Sequence, residues 1–85
     1  MKYDAESHMT TLEDVKSFFS YLVHERHCNF HPDDDFAGYV YYADRRILFS
    51  AEEAAIFNRL MNESFGVCAQ NRVSIYDLSF EAQKA

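Results

Sequence analysis

Apolar positions along this chain recur with two different periods, and the places where the period changes mark out its elements. Behind Ser50, the residues Phe57, Leu60, Met61, Ser64, Phe65 and Cys68 return at intervals of three and four, which lays them along one face of a helix. Arg59, Asn62 and Glu63 fall on the opposite face. Ser50 and Glu53 form a capping box, in which each side chain satisfies a free N–H of the first turn. Glu52 and Glu53 also stand where the positive end of the helix dipole favours a carboxylate. Gly66 interrupts the register at a cost of about 1 kcal/mol relative to Ala. Because Cys68 continues the stripe, the helix is predicted to run to Gln70, with Asn71 as its terminator.

A second helical stripe, Leu12, Val15, Phe18, Phe19, Leu22 and Val23, predicts a helix running to about His27. Thr10 with Glu13, or Thr11 with Asp14, supplies its capping box. His24, Arg26 and His27 stand at its dipole-favoured end, Asn29 suits a left-handed terminating conformation, and Pro32 turns His31 away from helix.

Beyond the turn at Pro32–Asp35 the period shortens. Tyr39–Tyr42 and Ile47–Phe49 are β-prone runs joined by Ala43–Arg46, a hairpin-length loop, and Val73–Leu78 alternates as a third strand. The order expected is therefore α-β-β-α-β: a two-layer α+β domain with a three-stranded, mainly antiparallel sheet and both amphipathic helices on one face. Val40, Tyr42, Ile47, Phe49, Val73 and Ile75 would face the helices. Residues 1–9 read as a flexible N-terminal tail, 10–80 as the single domain and 81–85 as a frayed C-terminus.

Composition narrows the function. Eighty-five residues make one domain with a thin core, since a chain of this size buries only about 60–65% of its unfolded surface. The net charge of −6 and the scatter of the eight basic residues argue against nucleic acid as a partner. No apolar run approaches the roughly 18 residues of a membrane span, and the N-terminal residues lack the apolar stretch of a signal peptide. Two distant cysteines make no disulfide framework. The expectation is a cytoplasmic protein.

Two stretches carry candidate chemistry. His24, His27, Cys28 and His31 bring zinc-ligand types together within eight residues, and His24 with Cys28 would lie one helical turn apart. The spacing matches no zinc module, and a polar helix end with dipole-favoured His is the simpler account. Asp33, Asp34 and Asp35 lack the alternation, Gly and closing Glu of an EF-hand loop. With only Gly38 and Gly66 no phosphate loop can be built, and no nucleophile–base motif is present, so no catalytic residue and no cofactor is assigned.

The second stretch is aromatic. With both helices on one side of the sheet, Tyr39, Tyr41, Leu48, Tyr76 and Leu78 would share the bare side, and such a patch reads as an interface. The function expected is a small non-catalytic interaction or regulatory module that binds a protein partner or itself as a homodimer. The alternatives are a zinc-binding protein using the His24–His31 region and an acidic mimic of nucleic acid.

Overall fold

The computed structural model describes residues 2–28 and 49–84, and all its regular structure there is helical. Helix α1 spans Leu12–His24, α2 spans Ala51–Gln70 and α3 spans Ile75–Lys84. Among the described residues there is no strand, so the α+β, sheet-containing architecture is overturned. The decisive element is Val73–Leu78, expected as a strand. From Ile75 it is helix, with Ile75, Leu78, Ser79 and Ala82 buried. Those four recur at helical intervals over two turns, whereas the alternation, Val73 with Ile75 and Tyr76 with Leu78, is short. The longer pattern buries a continuous stripe against the other helices, and tertiary packing decides the conformation. The two expected strands at 39–42 and 47–49 lie outside the described residues, apart from Phe49, which is not in a strand.

Both strong caps form. Ser50 Oγ accepts from the Glu53 N–H at 3.1 Å, and Glu53 Oε1 accepts from the Ser50 N–H at 3.2 Å. At α1 the box is Thr11 with Asp14, and one carboxylate oxygen of Asp14 accepts from the Thr10 N–H, the Thr10 hydroxyl and the Thr11 N–H. These bonds, the Thr10 N–H foremost, hold the Asp14 carboxyl below its ordinary range.

Helix α2 ends as its stripe predicts, at Gln70 with Asn71 as cap, yet the left-handed residue is Arg72, at φ 57°. The Val73 N–H donates to the Cys68 carbonyl at 3.0 Å and the Arg72 N–H to the Ala69 carbonyl at 3.2 Å. That pair of bonds is a Schellman motif, and it turns the chain directly into α3.

Helix α1 packs most extensively against α3, and both rest on α2. Phe18, Phe19, Leu22, Phe57, Leu60 and Met61 are wholly buried. Ser64 and Ser79 are buried among them, each hydroxyl donating 2.8 Å back to a carbonyl of its own helix. Returning the hydroxyl to the backbone satisfies it without a partner and lets neighbouring elements approach closely.

Residues 2–9, expected as a tail, run along this core. Tyr3 is 8% exposed and meets Phe18, Tyr21 and Phe57 edge to face, with ring centroids 5.3, 5.2 and 6.4 Å away. Met9 is buried too. Burial pushes the Tyr3 hydroxyl up, and the negative charge of Asp14 adds to it. At the other end the helix continues to Lys84, with Ala82 buried, past the point where fraying was expected.

Candidate functional site

Three places in the described chain concentrate polar chemistry. The first is the junction after α1. The helix closes at His24, where the Glu25 N–H donates 2.9 Å to the Tyr21 carbonyl. His27 takes a left-handed φ of 58°, and the Cys28 N–H turns back to the Leu22 carbonyl at 2.9 Å. Because helix stops at His24, Cys28 does not stand one turn above it, and the expected alignment of a ligand pair is lost. His24 and His27 are exposed while Cys28 is buried. His31 lies outside the described residues, and among those described no group of three His, Cys, Asp or Glu is placed to hold a metal.

Arg26 occupies this junction instead. Its guanidinium lies 4.7 Å from the centre of the Phe49 ring and donates 2.7 Å to Glu53 Oε2. Glu53 thus caps α2 with one oxygen and binds Arg26 with the other. The Arg26 bond, ahead of the Ser50 cap, outweighs burial and holds the Glu53 carboxyl below its ordinary range. The Arg26 guanidinium is raised by the same bond.

The second place is the clamp on residues 4–9. Arg59 donates to the carbonyls of Ser7, Asp4 and Ala5 at 2.9, 3.2 and 3.4 Å, and to Glu63 Oε2 at 2.8 Å. The other oxygen of Glu63 accepts from the Met9 N–H at 2.9 Å, and His8 Nδ1 lies 3.3 Å from Oε2. Burial raises the Glu63 carboxyl, but the bonds from Met9, Arg59 and His8 together lower it on balance. Two residues of the expected polar face of α2, Arg59 and Glu63, are therefore a half-buried anchor, while Asn62 is exposed.

The third place is the outward face of α2. Ala51, Ala55, Asn62, Gly66 and Ala69 are exposed, with Asn58 and Phe65 half-buried at its margin. None of these seven residues carries a charge. The Asn58 Oδ1 is buried and accepts no hydrogen bond, the one such side-chain atom among the described residues. Neither feature was read from the sequence, although the intervals 51, 55, 58, 62, 65 and 69 form an unbroken heptad-like series.

Of the expected interface residues, Tyr39, Tyr41 and Leu48 lie outside the described chain. Leu78 is buried in the core and Tyr76 is half-buried against it. On a helix, residues two apart point about 200° apart, so these two do not share a face. Cys68 is buried and its thiol is pushed up by burial, the opposite of an activated nucleophile. The surface of the described residues includes shallow grooves. One, of about 200 Å³, is lined by Lys16, Ser20, Leu78, Glu81 and Ala82, and one of about 330 Å³ by Met9, Thr10, Glu63, Gly66, Val67 and Gln70. In the first, Lys16 faces Glu13 at 3.9 Å, and in the second, Glu63 is committed to the clamp. Among the described residues, no helix is long and apolar enough to cross a membrane.

Comparisons with known protein families, with curated proteins and with solved structures find no match to the chain.

Proposed function

We propose that this protein is a small cytoplasmic interaction or regulatory module, working by presenting a surface to another protein chain and not by catalysis. The observation that carries this reading is the uncharged outward face of α2. An exposed helix face is ordinarily charged or strongly polar. This one carries no exposed charge from Ala55 to Ala69, past Glu52 in the first turn, in a chain that is 26% charged. The carboxylates lowered by hydrogen bonds, Asp14, Glu53 and Glu63, serve caps and clamps of the fold. Cys28 and Cys68, both buried and neither in a disulfide, suit a reducing compartment.

The test is the state of the protein in extracts of its own source. The expected outcome is a protein-only complex of defined mass, above the 10.0 kDa of one chain. A monomer whose melting temperature rises saturably by several degrees with a metabolite or with zinc would overturn the reading, because a ligand bound only by the folded state stabilises it.

A further inference from the structure

We propose that the outward face of α2 pairs with the same face of a second copy of this chain, the two helices running antiparallel. This rests on the interaction-module reading and names the partner.

Residues 51, 55, 58, 62, 65 and 69 follow the 4-3-4-3-4 spacing of a helix–helix seam. A two-fold axis makes such a contact self-complementary: if residue i meets residue j, then j meets i. Centred on the level of Leu60, an antiparallel pairing sets Ala51 against Ala69, Ala55 against Phe65, and Asn58 against Asn62. Each pairing is complementary. The Phe65 ring falls beside the small Ala55 rather than on another Phe65, and the Ala51–Ala69 layers let the backbones approach. Asn58, half-buried with its carbonyl oxygen closed off inside its own chain, comes level with the exposed Asn62, so that this layer is polar and uncharged.

Charge favours the same arrangement. Two copies of a chain of net charge −6 repel, so a contact between them is best made where charge is absent. The exposed charged residues nearest the ends of α2 are Glu52, in its first turn, and Arg72, just past its last. Antiparallel packing brings the acidic end of one helix beside the basic end of the other and opposes the helix dipoles. A parallel pair would stack Glu52 near Glu52, Arg72 near Arg72 and Phe65 on Phe65.

A 20-residue helix is about 30 Å long, which makes a small interface, so association is expected with a Kd on the order of 10–100 μM. Sedimentation of the full chain from about 5 to 500 μM, a span set around that range, should show a reversible dimer. Ala55→Glu, at an exposed position, should weaken it by about 30-fold or more with the helical circular dichroism unchanged, because the carboxylate would be desolvated against Phe65. Ser17→Glu, on the exposed side of α1, should leave it intact.

Orientation is read by a short thiol-specific cross-linker, with native Cys28 and Cys68 both buried. Ala51→Cys protein mixed with Ala69→Cys protein should give covalent dimers, whereas either alone should not, since the two positions lie about 27 Å apart along the helix. A wild type that stays monomeric throughout overturns the proposal. So does association that survives Ala55→Glu, or cross-linking of Ala51→Cys with itself. A complex with a different protein, found alongside a monomeric pure chain, would sink this inference and leave the module reading standing.

Discussion

Arg59 and Glu63 lie one turn apart on α2, and beside them lie Asn58 and Asn62, also one turn apart. The fold treats the two pairs in opposite ways. The charged pair is saturated: together its side chains bind Asp4, Ala5, Ser7, His8 and Met9, and each other. The amide pair is left incomplete, with the Asn58 oxygen buried and unmatched. Half-burial of a charge is tolerable only where several donors or acceptors meet it, so the charged flank had to be completed within the chain. A neutral amide costs less to leave unmatched than a charge does. One flank of the same helix thus closes the fold, and the other is where a second chain would add to it.

The largest effect that bears on this contrast comes from Leu60, which is wholly buried beneath both flanks. Leu60→Ala should destabilise the fold by about 2–5 kcal/mol in chemical denaturation and impair both flanks together. Loss of less than about 1 kcal/mol would mean that α2 is not the spine.

Glu63→Ala separates the flanks. It should cost about 1–3 kcal/mol, because the Met9 N–H and the Arg59 guanidinium lose a charged acceptor, and it should raise hydrogen exchange at Met9 while self-association persists. Its pH dependence has a definite sign. The folded carboxyl lies below its ordinary value of 4.5, so the stabilisation is fully present above that pH. It is lost as pH falls through the lower folded value, so wild type and variant should converge in acid. A difference that grows on acidification would contradict the clamp.

The smallest effect sharpens the open flank. A Cβ added at Gly66 meets nothing within 4 Å, and the backbone there is helical. Gly66→Ala should stabilise the protein by up to about 1 kcal/mol in thermal melts. Destabilisation would show that the surface beside Gly66 is already occupied.

The legible parts of this fold were those written in local spacing. Both long helices, the Ser50–Glu53 box and the end at Gln70 follow from residues within a few positions of one another. At α1 the sequence left two boxes open, and Asp14 prevails because its carboxylate gathers both preceding N–H groups. The third helix was misread because the pairs Val73–Ile75 and Tyr76–Leu78 alternate over a window too short to separate strand from helix. The spacing of Ile75, Leu78, Ser79 and Ala82 separates them, as does Ser74 with Asp77 three residues on, a pairing typical of helix starts. Tyr3 and the Arg59–Glu63 clamp were beyond reach, since Tyr3 meets rings from two separate helices and the clamp's partners at residues 4–9 lie more than fifty positions away. The candidate surface on α2 was readable as a heptad series, but only the structure shows four of its six residues exposed and the Asn58 oxygen unmatched.

The distance along the chain between the two halves of that clamp also sets an order in time. Contacts between sequence neighbours form early, while those closing a loop of some fifty residues must wait until the intervening chain is already arranged. Docking of residues 2–9 therefore belongs after the barrier, when Phe18, Tyr21 and Phe57 have already made the niche that Tyr3 enters. Interactions absent from the transition state govern how fast a protein comes apart and leave its refolding rate nearly untouched. The N-terminal segment is on this account a brake on unfolding, and the kinetic signature of Glu63→Ala is a steeper loss of lifetime with no slowing of the return.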